Sequence, residues 1–239
     1  TRPHTDGGRP VASAQAADNE RLVTDLELAL GHETLVVGGG IAGIQTAIDL
    51  SRRGFRVHLV EQSGRLGGRT AGLASIYPTG QSGGSLVEQK LAELSECGAD
   101  VRTGTTVVDV KGFVGNFEVT LGDAGDSSGA GRARRGGGRA RGSGSGAGGR
   151  DVLGVGAIVL AIGADLYEPD GDFGYGSVPN VIGSPDFERV LGSRGRPKFR
   201  KRPVDTVVFI QCVGSRGPKG NPECSRYCCQ SAIRQAIQL

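Results

Sequence analysis

The chain has 239 residues, room for one large domain or two small ones, and a hydrophobic fraction of 37%, held low by 43 glycines. A formal net charge of +3 is too small for a protein that binds nucleic acid over its whole surface. No run of about 18 apolar residues is present to span a membrane. The start, Thr1-Arg2-Pro3-His4, is polar rather than a leader, and the five cysteines are not spaced as a secreted disulfide framework, so a reducing, cytoplasmic compartment is expected.

Residues 1–17 read as a disordered tail, followed by a helical period carried by Leu22, Val23, Leu26 and Leu30. Thr34-Leu35-Val36-Val37 is a predicted strand, Ile41 to Arg53 a helix closed by Gly54, and Arg56-Val57-His58-Leu59-Val60 a second strand. Strand, helix and strand so close together form a βαβ unit and imply a parallel sheet. Leu86 to Cys97 is a further predicted helix, stopped by Gly98. Asp100 to Arg102 and Thr105 to Val110 are strand-like, and Asn116 to Leu121 completes a hairpin through Gly112 to Gly115.

Residues 122–150 are almost all Gly, Ser, Ala and Arg, too poor in apolar surface to offset the entropy of ordering, and are expected to be a disordered Gly/Arg-rich linker. An RNA-binding arm is the alternative, but it lacks aromatic residues to stack on bases, so nucleic acid is not an expected partner. Val155 to Ile162 is a continuous apolar strand, as in a central, buried position. Residues 165–182 are a loop, Ser184 an N-cap with Pro185 at the first helical position, and Thr206 to Gln211 a last strand leading into Cys212. With no methionine anywhere and an apparent helix running to Leu239, the chain reads as part of something longer.

Gly38-Gly39-Gly40-Ile41-Ala42-Gly43 follows a strand and opens a helix, with Glu61 at the end of the next strand. In that setting Gly38 makes the tight turn, Gly40 lets backbone approach a pyrophosphate, and Gly43 lets the helix pack on the strand. The helix N-terminus, starting at Ile41 and Ala42, offers unpaired N–H groups to phosphate. Glu61 suits a ribose 2′-hydroxyl and would repel a 2′-phosphate, leaving FAD and NAD open.

Cys212, Cys224, Cys228 and Cys229 form a dense C-x11-C-x3-C-C cluster. On a helix, Cys224 and Cys228 would share one face. Vicinal cysteines fit poorly round one tetrahedral zinc ion, whereas a [4Fe-4S] cube offers a separate iron to each. Reduced buried thiols, a redox-active disulfide and zinc remain alternatives. Cys97, alone at a helix end, is expected to be structural, and so is His58. The other histidines, His4 and His32, stand apart, so no catalytic residue is assigned.

Gln62-Ser63-Gly64-Arg65-Leu66-Gly67-Gly68-Arg69 resembles the second segment of the FAD-dependent disulfide-reductase fingerprint, and Ala157 to Gly163 resembles that group's later strand, with Ile162 in place of threonine. More narrowly, the chain resembles the A-type iron–sulfur flavoprotein of CoB–CoM heterodisulfide reductase and its bacterial relatives. The resemblance lies in Val36 to Gln45, Glu61 with Leu66-Gly67-Gly68-Arg69, Tyr77-Pro78-Thr79, Phe209 to Arg216, and Gly220-Asn221-Pro222-Glu223-Cys224-Ser225-Arg226-Tyr227-Cys228-Cys229. It implies an α/β fold: a Rossmann-like FAD-binding domain of thioredoxin-reductase type over 32–121 and 151–183, then the start of a second α/β unit at 184–239. FAD would be held at Gly38, Gly40, Ile41, Ala42, Gly43, Glu61, Gln62, Gly68, Arg69, Val107, Ala161 and Gly163. A [4Fe-4S] cluster would be held by Cys212, Cys224, Cys228 and Cys229. Family members also carry cysteines where this chain has Gly80-Gln81-Ser82-Gly83-Gly84-Ser85, and many carry more where residues 122–150 lie.

The implied function is an oxidoreductase component passing electrons between flavin and iron–sulfur centres, with other electron-transfer subunits (heterodisulfide reductase B/C-like, hydrogenase- or ferredoxin-linked) as partners. The alternative is an NAD(P)H-dependent flavoprotein disulfide reductase with a redox dithiol and no cluster.

Overall fold

The structure is a computed structural model that describes residues 33–125, 151–193, 195–218 and 220–239. The tail and helix expected in 1–31 and nearly all of the linker expected at 122–150 lie outside the described residues.

Strand β1 (Glu33–Val37), helix α1 (Ile41–Arg52) and strand β2 (Arg56–Glu61) form the expected βαβ unit, with β1 and β2 parallel from Glu33↔Arg56 to Val37↔Val60. Helix α2 (Gly83–Glu96) precedes β3 (Asp100–Thr103), and the parallel sheet takes the order β3-β2-β1-β7, where β7 is Ala157–Leu160. A second, antiparallel sheet has the order β4-β5-β6, from β4 (Thr105–Phe113), β5 (Asn116–Asp123) and β6 (Asp151–Val155). The sequence forms both layers because apolar side chains alternate to opposite faces of β1 and β2. Val36, Val57 and Leu59 meet Ile44, Ala47 and Ile48 of α1 and Leu94 of α2 on one face. On the other, Leu35 and Val60 meet Val119, Leu121 and Val155 of the antiparallel sheet. Each such buried side chain stabilises the fold by roughly 1.5–3 kcal/mol.

Helix α2 begins earlier than the apolar pattern suggests, because the Ser82 hydroxyl caps it by accepting the Ser85 N–H at 3.1 Å. The apolar run from Val155 to Ile162 is not one central strand. It splits at Gly156, whose N–H bonds Glu33 O of the parallel sheet while its carbonyl accepts from Gly115 of the hairpin, both at 2.8 Å. One apolar stretch thus serves two sheets, and β7 is an edge strand with Leu160 71% exposed.

Helix α3 (Ser184–Leu191) has Gly183 rather than Ser184 as its N-cap, since the Ser184 hydroxyl instead accepts from Gln235 Nε2 at 2.8 Å. A two-residue hairpin, β8 (Lys198–Phe199) and β9 (Arg202–Pro203), follows. Thr206 to Gln211 is not a strand: apolar and β-branched, it has no ladder partner among the described residues. Helix α4 (Cys228–Ile237) docks on α3, where buried Glu188 receives Arg234 in an ion pair and the Gln235 amide at 2.6 Å. Arg234 also donates to Ser75 O at 2.6 Å and Ala74 N–H to Glu188 at 3.1 Å, tying α4 to the loop after β2. No helix among the described residues is long and apolar enough to cross a membrane.

Candidate functional site

The turn between β1 and α1 is set by backbone contact. Gly38 has φ 110°, a left-handed value that costs other residues strain, and a Cβ there would lie 2.4 Å from Ala161 O. At Gly43 a Cβ would lie 1.8 Å from Gly38 O, so α1 approaches β1 as closely as it does only because that atom is missing. Gly40 differs, since a Cβ there would meet nothing within 4 Å, leaving an open face. The first helical N–H to close is that of Ile44, on Gly40 O at 2.9 Å, so the N–H groups of Ile41, Ala42 and Gly43 precede the helix's own ladder. No side chain caps this end. Open space and free donors at a positive helix end make an anion-receptive cradle.

Glu61 closes the cradle from β2. Its carboxylate accepts Gly39 N–H at 2.6 Å and Ser63 N–H at 2.8 Å. Partial burial acts to raise its pKa, but the N–H groups of Ser63 and Gly39 outweigh it and hold the carboxyl below the usual range. Charged, with lone pairs to spare, it can accept ribose hydroxyls. The loop after Glu61 folds back on the turn: Gly67 N–H donates to Gly39 O at 2.7 Å, and Leu66 packs where a Gly39 side chain would stand. Gly68 backs onto Gly40, while Gln62 and Arg69 are exposed at the loop's rim.

Ala161 N–H donates to Val37 O at 2.8 Å, bringing the end of β7 beside Gly38, and Gly163 turns away with φ 71°. These positions gather at one end of the parallel sheet. Val107 sits in β4 opposite Leu121, against the apolar cluster between the sheets that Val37 also packs on. The sequence reading missed the carboxylate–backbone bonds of Glu61 and the buried Glu188. The first was signalled by the glycine at 39, whereas the partners of Glu188 are too distant in sequence to be signalled at all.

The cysteine segment is built differently. Cys224 lies in a loop and helix α4 starts only at Cys228, so the expected shared helical face does not form. Cys212 sits at φ 60° in a turn closed by Ser215 N–H on Cys212 O at 3.0 Å. All five cysteines are free, with Cys224 and Cys229 exposed. Arg216 Nη1 lies 3.9 Å from Cys212 Sγ, and Arg226 N–H donates to Cys224 Sγ at 3.3 Å. The Cys229 thiol is pushed up, foremost by the charge of neighbouring Cys228. The four sulfurs do not converge: among the described residues no three His, Cys, Asp or Glu groups stand at metal-holding spacing. Cys97 is set apart, its thiol donating to Leu94 O at 3.2 Å beside the α1–α2 core. His58 is buried between Glu33 and Asp100, as a structural residue should be.

A parallel βαβ unit with a glycine turn at the end of β1 is the Rossmann-like arrangement, and residues 36–80 match the family NAD(P)-binding Rossmann-like domain. More specifically, the chain is a sequence like the A-type iron–sulfur component of heterodisulfide reductase. It is 31% identical, over 95% of its length, to one of the A-type iron–sulfur subunits of CoB–CoM heterodisulfide reductase from Methanopyrus kandleri. To the corresponding A-type iron–sulfur protein of Methanocaldococcus jannaschii it is 32% identical over 84% of its length. The chain spans 44% and 40% of those two relatives. Among solved structures, Lactococcus lactis thioredoxin reductase aligns with 57% of this chain and 37% of its own at 18% identity, with a TM-score of 0.41.

Proposed function

We propose that this chain is the flavin- and cluster-bearing part of an oxidoreductase of the A-type heterodisulfide reductase kind, with FAD in the Gly38–Gly43 cradle and a [4Fe-4S] cluster on Cys212, Cys224, Cys228 and Cys229. The observation that carries it is one chain holding both a prearranged dinucleotide cradle and four free thiols in a single segment. Bound FAD would supply two-electron chemistry and the cluster one-electron steps. The chain's residues would do the rest. The N–H groups of Ile41, Ala42 and Gly43 face the diphosphate, Glu61 takes the ribose, and Gly67-Gly68 closes over both. The α4 clamp at Glu188 holds Cys228 and Cys229 on the same body. The cysteine loop must close for four sulfurs to reach one cluster, which the exposed Cys224 and Cys229 leave room for. Free thiols suit a reducing, cytoplasmic setting, and the relatives' designation as parts of a larger reductase supports electron-transfer subunits as partners.

An absorption spectrum with iron and sulfide analysis on anaerobically purified protein tests this. Flavin bands with broad cluster absorbance are expected, the latter lost in Cys224→Ser. Flavin without iron sinks the cluster and favours a dithiol reductase, and neither chromophore sinks the oxidoreductase.

A further inference from the structure

We infer that the β8–β9 hairpin is a docking surface for an acidic protein that exchanges electrons through the cysteine segment that follows it in the sequence. The hairpin carries Lys198, Arg200, Lys201 and Arg202, all exposed, and none makes an ion pair among the described residues. Arg200 and Lys201 form its tip at φ 51° and 67°. A two-residue turn of that hand is cheapest with Asn-Gly, because side chains strain there. Here two long cations take both positions, and Arg200 lies over the Phe199 ring at 5.6 Å. A strained tip that presents charge outward, with no ion-pair partner among the described residues, points to a partner outside the fold.

The charge is also localised. Between Arg194 and Arg226 stand nine Lys and Arg against only Asp205 and Glu223, in a chain of net charge +3. That stretch includes Cys212 and Cys224, with the Arg216 guanidinium 3.9 Å from the Cys212 sulfur. A basic field around exposed thiols steers an acidic partner to them and speeds association in a salt-dependent way. RNA is the lesser fit, since the hairpin offers Phe199 alone for stacking, already covered by Arg200.

The electron-carrying role of the partner rests on the function proposed above, whereas docking does not. The experiment therefore measures binding of the full chain to an oxidised, acidic two-cluster ferredoxin, without turnover, across ionic strength. Arg200→Asn with Lys201→Gly relieves the turn and removes its charge. The expected result is a higher Tm together with association slowed on the order of tenfold at low salt and a flatter salt slope. If flavin and cluster are absent but this binding persists, the function above fails and the surface stands. Unchanged association and slope overturn the surface, as does tighter, hairpin-dependent binding of a single-stranded RNA homopolymer.

Discussion

The two candidate sites are built on opposite plans. At the dinucleotide turn the geometry is complete without a ligand: Gly43 against the Gly38 carbonyl, Gly67 on Gly39, and Glu61 on two N–H groups. The cysteine segment has only local turns, such as Asn221 N–H on Gly214 O at 2.9 Å, and no ladder for Thr206 to Gln211. The first is fixed by sterics that act on the bare chain. The second is anchored at its end, through α4, and left open where the thiols are.

Breaking that anchor should give the largest effect. Arg234→Met leaves the Glu188 carboxylate, 4% exposed, without its cation, and should cost about 3 kcal/mol in urea unfolding. Amide exchange gives the sharper reading. Protection should fall in α4 while β1 and β2 keep theirs; equal loss in both would make the two regions one cooperative unit and dissolve the contrast. Next comes Gly43→Ala, which forces a methyl against the Gly38 carbonyl and should cost about 1–3 kcal/mol as well as FAD. Gly40→Ala is its counterpart: with open space at that position, stability should move by less than about 0.5 kcal/mol while FAD titration shows weaker binding. If both variants lose stability alike, the open face at Gly40 is not a ligand site.

The same contrast explains what could be read from the residues alone. The βαβ unit, its glycine turn and Glu61 are legible because each follows from spacing along one short stretch. The split of the Val155–Ile162 run was not, because both of its halves are apolar and only the partners, Gly115 on one side and Glu33 on the other, divide it. Thr206 to Gln211 has the composition of a strand but no neighbour to pair with, and composition does not supply one. In the cysteine cluster, spacing placed Cys224 on a helix that begins only at Cys228.

A pH-dependent effect lies at the far end of the parallel sheet. There His58 sits 2.8 Å from Glu33 and 2.9 Å from Asp100. The Glu33 carboxyl is held below its ordinary range, first by the His58 hydrogen bond and then, against opposing burial, by Arg56. At Asp100 burial acts upward, but His58 and Arg102 outweigh it and the net shift is again downward. Carboxyls depressed in the folded state add stability above their ordinary range, near 4, and that stability drains away as pH falls through the folded values. Both groups are partly exposed, so solvent screening limits the effect to under about 1 kcal/mol. Glu33→Gln with Asp100→Asn removes both titrations, and the fall in urea midpoint between neutral and strongly acidic pH should become shallower. It should not vanish, because Glu61 at the dinucleotide turn is depressed too and titrates in the same window. Adding Glu61→Gln should flatten most of the remainder. If it does not, the carboxylate–backbone bonds at Gly39 and Ser63 contribute less to the bare turn than its close-packed glycines do, which would put the whole preorganisation of that site on backbone sterics.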